Sequence, residues 1–487
     1  MTHFQIIDNK TAKLVTDDYR VRNLVAKGLT FQHPGARFTK AFKTGGWDGS
    51  ISHFRRVNNT FPAGLIDLAK ESAKSLGLDI DVIDARPPQK IKMPHLTDIV
   101  SGKTLRGYQK DAVKTIFGKT RGIIQAPTGS GKTVIAAAAI RVANQNGKKV
   151  LFLTHQKELF YQTQKAFVLA GIDTGLIGDS VRDLDHPTII GMVPTLYAGL
   201  EKRDKKTHEI IRRANPQIVA LLQSVDFLII DEAHHGAAES FEQVCIACTG
   251  AYWRIGLTAT PLMKGLLEDV ALIAQTGGII TRITIEHLID EGMLAQPYIQ
   301  FVRVNTPLLP QTLPYKVAYK LGIAENQTRH AQVVAAAVRF AENKLTTLIL
   351  VNSIQHGRAL LERLHFIEGL RVQFIHGTKS TETRADAIKA LAEQKLDVLI
   401  SSVITDEGVD IPAVSAVILA GGMKSVIKLY QRIGRGMRPK EKDNKVLIVD
   451  FIDLTNKHLA RHSMEHYLTI KNEPGFIIVN DFDEFLK

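Results

Sequence analysis

Gly122-Ile-Ile-Gln-Ala-Pro-Thr-Gly-Ser-Gly-Lys-Thr133 decides the fold of this chain. An apolar run enters it and an alanine-rich stretch, Val134-Ile-Ala-Ala-Ala-Ala-Ile140, leaves it, an order that predicts strand, loop and helix. Backbone N–H groups of such a loop converge on phosphate oxygens, and the start of the helix adds its partial positive charge. Thr128, Gly129, Ser130 and Gly131 are the predicted cradle, with Lys132 reaching the β/γ-phosphates and Thr133 ligating Mg²⁺. Ala126 stands where the pattern usually has its first glycine. About a hundred residues on, Asp231-Glu-Ala-His234 ends a second apolar run, Phe227-Leu-Ile-Ile230. Its two carboxylates emerge from a buried strand, Asp231 to hold the metal and Glu232 to orient an attacking water. Together the two segments predict a motor that hydrolyses ATP with Mg²⁺. Ser101-Gly-Lys-Thr104 mimics the end of such a loop, but Thr97 replaces the glycine and no apolar strand feeds it.

The 487 residues suffice for two or three cores, and a 45% hydrophobic, 23% charged composition without low-complexity tracts is that of a globular protein. A formal charge of +13 points to a polyanionic partner. The polar N-terminus has no signal-peptide pattern and no apolar run approaches the ~20 residues that span a bilayer. A cytoplasmic setting, bacterial or in a phage-infected host, is therefore expected. Cys245 and Cys248 have C-x-x-C spacing but lack both further zinc ligands and a thioredoxin-like context, so two reduced, packed thiols are expected.

Texture divides the chain. Residues 1–95 have short alternating runs, glycine-rich turns and a helix candidate at Leu65–Leu76, and read as a small α+β DNA-binding domain ending near Pro87-Pro88. From 96 to 297, strand-like runs such as Val150–Thr154 and Thr188–Val193 alternate with helical stretches. A second such series fills 298–455, with Thr347–Val351, Val398–Ser402 and Lys445–Val449 among its strands, and 456–487 reads as a tail. Alternation of this kind predicts two doubly wound parallel sheets in an α/β chain, of which only the first carries a phosphate loop.

Further motifs lie in fixed order between residues 104 and 451. Leu105-Arg-Gly-Tyr-Gln109, Gly256-Leu-Thr-Ala-Thr-Pro261, Thr405-Asp-Glu-Gly-Val-Asp-Ile-Pro412 and Gln431-Arg-Ile-Gly-Arg-Gly-Met-Arg438 join the two segments above. The set resembles superfamily 2 DExH helicases and translocases. That resemblance implies two RecA-like lobes, and an adenine site at Gln109 with Arg106 and Tyr108 beside it. It implies coupling of hydrolysis to strand movement through His234, Thr258, Thr260 and Gln431. It also implies contacts to nucleotide from Gly408 and Asp410, and to nucleic acid from Thr195 and Thr405. Arg435 and Arg438 have a physical reading of their own. Charge spreads over the γ-phosphoryl group in the transition state, and a guanidinium from a second domain stabilises it. Three residues apart on a helix, the two arginines are expected to share a face.

The first 95 residues narrow the resemblance. Phe38-Thr-Lys-Ala-Phe-Lys-Thr-Gly-Gly-Trp-Asp-Gly49 followed by Phe61-Pro-Ala-Gly64 is similar to the accessory domain of UvsW-like phage recombination helicases. Arg37, Lys40, Lys43, Arg55 and Arg56 face a single acid, Asp48, between residues 31 and 60, a balance suited to duplex phosphates. Trp47 either stacks on a base exposed at a junction or anchors the Gly-Trp-Asp-Gly turn.

The expected function is ATP-dependent remodelling of branched DNA: fork regression, Holliday-junction migration, D-loop or R-loop unwinding. DNA, including duplex/single-strand junctions, is the expected partner, with RNA–DNA hybrids in addition, no membrane, and a monomeric motor. Three alternatives stay open: an RNA helicase, the motor of a restriction system, and a nucleotide-gated scaffold that binds nucleic acid without turnover. The intact Lys132, Asp231, Glu232, Arg435 and Arg438 argue against the last.

Overall fold

The computed structural model describes residues 2–75, 77–204, 207–262, 265–377, 379–402, 414–422, 425–440 and 444–486. The chain divides into two compact units, Met1–Ala126 with Gly131–Arg282, and Pro127–Ser130 with Ile283–Lys487.

The first unit is built on an eight-stranded sheet. Its order is Val181–Asp183, Thr174–Gly178, Thr188–Met192, Val150–Thr154, Phe227–Ile230, Trp253–Thr258, Arg121–Gln125, Ile279–Arg282. All pairings are parallel except that of the hairpin strand Val181–Asp183. Every residue of Val150–Thr154 and Phe227–Ile230 is buried, because crossover helices cover both faces. That is why these strands read as unbroken apolar runs. Helix Lys132–Gln145 packs with Ala136, Ala137, Ala138 and Ala139 all buried, small side chains that bring its axis close to the sheet.

Residues 3–84 form a four-stranded sheet in the order Thr60–Pro62, Thr11–Val15, His3–Ile6, Val82–Asp84, packed with helices Tyr19–Gly28 and Ile66–Lys74. The helix expected at Leu65–Leu76 is thus shorter, with a 3₁₀ turn at Ala63–Leu65 before it. This region, expected as a separate domain over 1–95, does not close its own core. Phe4, Leu14, Val25, Phe61, Leu65 and Ala69 share one buried cluster with Val270 and Ala274 of helix Leu266–Thr276, which belongs to the large sheet. Gly64 marks the closest approach: a Cβ there would lie 2.0 Å from the Ile273 carbonyl oxygen. Asn9 Nδ2 donates to the carbonyls of Thr249 and Gly250, both at 3.0 Å. Arg121 donates to the Asn9 carbonyl at 2.9 Å, and the Arg86 guanidinium lies 4.1 Å from the Tyr252 ring centroid.

Cys245 and Cys248 are free, fully buried thiols of the first core. Burial raises both, Cys248 to about 12. The buried Arg254 donates to the carbonyls of Cys245, Cys248 and Ala251, so the segment is fixed through its backbone. Among the described residues no cluster fit for a metal ion occurs.

The second unit holds a seven-stranded, all-parallel sheet ordered Val372–Ile375, Val398–Ser401, Thr347–Leu350, Ala416–Ile418, Lys445–Asp453, Gln296–Val304, Ile477–Val479. Residues 456–487, expected as a tail, complete it. Helix Lys457–Lys471 precedes the edge strand Ile477–Val479, and Phe482 lies in the core beside Phe340. Its acidic residues hid the apolar ones that do this. Inside, Arg329 is fully buried. It pairs with Asp453 at 2.8 Å, donates to the Ala420 carbonyl and lies 4.2 Å from the Phe451 ring. No helix among the described residues is long and apolar enough to cross a membrane.

Candidate functional site

Strand order assembles the site. Parallel pairing aligns the carboxyl ends of Arg121–Gln125, Trp253–Thr258 and Phe227–Ile230, and ligands of doubly wound sheets bind beyond such ends. The Ala126 N–H donates to the Thr258 carbonyl at 2.9 Å, launching the phosphate loop from the sheet. Gly129 and Gly131 have φ of +87° and +82°, values that side chains resist. Gly131 then starts the helix by accepting from Val134 and Ile135 N–H at 2.8 and 3.0 Å. Lys132 Nζ lies 3.3 Å from the Ala126 carbonyl oxygen and 3.8 Å from Glu232 Oε1, while Thr133 is exposed at the helix start.

Asp231 is placed by its N–H, which donates to the Leu153 carbonyl at 3.0 Å, and its Oδ1 accepts from Glu232 N–H at 3.0 Å. Glu232 has a left-handed backbone with φ +44°, a strained state for a residue with a Cβ and one that recurs at functional sites. Burial raises the Asp231 carboxyl above its ordinary range, and the Glu232 charge raises it further against the opposing pull of Lys132. A divalent cation would relieve that cost, and Thr133 and Asp231 are the residues that would hold Mg²⁺ there.

His234 is buried with Nδ1 3.1 Å from Thr258 Oγ1 and 3.3 Å from Glu232 Oε2. Thr258 Oγ1 also accepts from Thr260 N–H at 3.2 Å. His234 from one motif and Thr258 and Thr260 from another therefore form one connected group at the carboxylates. Two histidines join it without having been singled out from sequence. His155 and His235 rings lie 4.1 Å apart between centroids, and His235 and His234 4.2 Å. Their strands are neighbours, Ile230 opposite Leu153, so the residues just beyond meet. Nothing at a separation of 80 positions in sequence announces that.

At helix Gly107–Lys119, Gln109 is buried and its Oε1 accepts from Arg106 N–H at 3.1 Å. Arg106 Nη1 donates to Tyr108 Oη at 3.2 Å. A Cβ on Gly131 would lie 2.6 Å from Gln109 Nε2, which puts this amide against the phosphate loop.

In the second unit, helix Val426–Gly436 carries Gln431 and Arg435, whose side chains are outside the described set. The helix ends at Gly436, so Arg438 lies beyond it and the shared-face expectation for Arg435 and Arg438 does not hold. Pro439 is the cause: the residue before a proline is steered from helical torsions. The Met437 carbonyl instead accepts from Ala295 N–H at 2.8 Å. Arg438 is half-buried, and burial depresses its guanidinium. Thr405, Gly408 and Asp410 lie outside the described residues.

On residues 31–60, strands Thr30–Gln32 and Ser50–Ser52 pair antiparallel. Arg37, Lys40 and Lys43 lie in their connection and Arg55 and Arg56 follow it, all exposed. Arg56 donates to Asn23 Oδ1 at 2.7 Å. Trp47 is half-buried, its indole N–H donating to the Ser50 carbonyl at 2.8 Å across the turn and its ring edge-on to His33. Thr195 lies in the short helix Val193–Ala198.

The family model described as "Type III restriction enzyme, res subunit" matches residues 102–263, and that of the "Helicase conserved C-terminal domain" matches 330–440. Fold and motifs thus define a superfamily 2 helicase, an enzyme that uses ATP. The ATP-dependent DNA helicase UvsW of Enterobacteria phage T4 is 24% identical over 456 residues, 87% of this chain and 85% of that protein. The DNA 3'-5' translocase XPB2 of Sulfurisphaera tokodaii is 24% identical over 432 residues, 80% of this chain and 90% of its own length. A solved fragment described as an HsdR subunit of a type I restriction enzyme from Vibrio vulnificus YJ016 shares the fold, with TM-score 0.57 and 19% identity over 80% of this chain and 71% of that one. The chain carries the two helicase domains of superfamily 2, and UvsW is among the proteins it is similar to.

Proposed function

We propose that this helicase remodels branched DNA: it regresses forks, migrates four-way junctions and unwinds D-loops and R-loops in recombination and repair. The observation that carries the reading is the basic arm Arg37–Arg56 on a domain whose core is shared with the nucleotide-binding unit. A DNA grip there moves with the ATP site.

In this reading Gln109 selects adenine, with Arg106 and Tyr108 beside it. Thr128 to Gly131 cradle the phosphates, and Lys132 neutralises the β/γ oxygens. Mg²⁺, held by Thr133 and Asp231, spreads phosphate charge when bound. Glu232 takes the proton of the attacking water, and its strained backbone fixes that carboxylate. Arg435 and Arg438 stabilise the charge that develops on the transferred group. His234, Thr258 and Thr260 pass the change at Glu232 toward the strands whose loops hold nucleic acid.

The test is ATP turnover and strand exchange on no nucleic acid, single strand, duplex, RNA and four-way DNA. Greatest stimulation and processing on the four-way DNA is expected. Stimulation by RNA alone overturns the DNA assignment, and tracking along unbranched duplex without junction processing favours the restriction-motor reading. Charge reversal at Arg55 and Arg56 should weaken junction binding and reduce its salt dependence, by about 0.9 in log–log slope for each phosphate no longer neutralised.

A further inference from the structure

Between helix Val193–Ala198 and helix Pro216–Ser224 the chain leaves the sheet as a two-stranded ribbon, Lys202–Arg203 against Ile210–Arg212. The ribbon belongs to neither large sheet. A register shift lies between Lys202 and Arg203, which pair with Arg212 and Ile210. Ile210 is 48% and Ile211 59% exposed, so two adjacent isoleucines on opposite faces both meet solvent. An isolated ribbon is marginal in water, yet this one is anchored to the rest of the unit at its root. At its root Arg212 donates to the carbonyls of Tyr197 and Leu200 at 2.6 and 3.0 Å, and its guanidinium lies 5.6 Å from the Tyr197 ring centroid. Toward its turn, Asp204 N–H donates to the Glu209 carbonyl at 2.9 Å, and Asp204 Oδ1 accepts from Thr207 N–H at 2.9 Å. Lys202, Arg203 and Arg213 are exposed around the isoleucines, with Glu201 paired to Arg203 at 2.6 Å.

A stalk anchored at its root, with two water-exposed aliphatic side chains and flanking cations, suits a polyanion with an apolar interior. Duplex DNA at its opened end has that chemistry: phosphates outside and the face of the last base pair uncovered. Apolar side chains wedge against base steps in this way in proteins that unstack DNA. We propose that the paired strands Lys202–Arg203 and Ile210–Arg212 are a strand-separating element. Ile210 and Ile211, on opposite faces of the ribbon, each meet one of the two bases that part at the opening pair, and Lys202 and Arg213 hold the flanking phosphates. The proposal rests on the DNA-helicase reading. It deepens that reading by placing the point of strand separation on the first unit, next to the helix that carries Thr195.

The experiment compares full-length wild type, Ile210→Ser/Ile211→Ser and Ile210→Leu/Ile211→Leu. It measures unwinding of a forked duplex, ATP turnover on single-stranded DNA, and melting temperature. The serine pair should unwind about tenfold more slowly, the size of one base-stacking interaction. Its single-strand-stimulated turnover should stay within about twofold and its melting temperature should hold, with the leucine pair near wild type. Lys202→Glu/Arg213→Glu should weaken fork binding more at low salt than at high salt. Unchanged unwinding by the serine pair overturns the proposal and leaves a protein partner as the occupant of the ribbon. Equal loss of unwinding and turnover, or a lowered melting temperature, overturns it in favour of a structural role. A wild-type protein that turns over ATP on DNA without opening any duplex overturns the helicase reading itself, a result separable from both.

Discussion

Gly64→Ala tests the joint between the N-terminal sheet and the nucleotide-binding unit. The added Cβ would lie 2.0 Å from the Ile273 carbonyl oxygen and 2.7 Å from that of Ala274. Ordinary contact starts near 3.4 Å, so more than an ångström must open between two backbones, with no flexible side chain to yield. Overpacking of this kind costs about 1–3 kcal/mol. Helix Leu266–Thr276 and its buried Val270 and Ala274 lie under the strain. At about 2–4 °C per kcal/mol for a unit of this size, the melting temperature should fall by roughly 4–8 °C for a cost near 2 kcal/mol. Calorimetry on the full chain measures this, with a fluorescent ATP analogue reporting when the nucleotide site is lost. Gly118→Ala is the control. Gly118 lies in helix Gly107–Lys119 with open space at its Cβ, so alanine there should stabilise by about 0.5–1 kcal/mol. If Gly64→Ala melts with wild type while Gly118→Ala gains, the shared core does not exist as described and residues 1–95 are an independent domain.

Glu232→Gln should retain bound ATP while turnover collapses, because Lys132 and Asp231 remain, whereas Lys132→Ala should lose both; nucleotide retention on filters separates them, and wild-type turnover by Glu232→Gln removes it as the base. Arg435→Ala or Arg438→Ala should leave ATP affinity near wild type and cut turnover by about 10³-fold, as for a missing transition-state arginine; weak affinity with normal turnover places these side chains elsewhere. Stability should fall in acid through the stacked pair His330 and His356, whose rings lie 5.0 Å apart. Burial holds both below the ordinary histidine value, His330 at about 4, with Arg363 and Arg329 opposing protonation. The unfolded chain then binds more protons below pH 6.5. Stability is intact above that pH and is lost toward pH 4, by at most about 2 kcal/mol at pH 5 for His330. Melting curves from pH 8 to pH 5 check this, and a slope unchanged by His330→Gln refutes it.

Much of the motor was legible in one dimension because its chemistry is local. A phosphate loop needs its glycines, lysine and threonine in a row, and the acidic pair needs only a buried strand to end before it. Unbroken apolar runs such as Phe227–Ile230 are the mark of strands covered on both faces, so two parallel sheets followed from the same reading. Strand order is not local. It alone set Asp231 beyond Leu153, joined His234 to Thr258, and brought the His155 ring against that of His235 across 80 positions of sequence. The same holds for core sharing. Residues 1–95 look self-contained in sequence because their pattern records which side chains are apolar, not what covers them. Val270 and Ala274 cover them, on a helix nearly 200 residues away. Burial against a distant partner is a property of the packed chain. It also turned residues 456–487 from an expected tail into an edge strand, and left Ile210 and Ile211 exposed where periodicity alone would have hidden one of them.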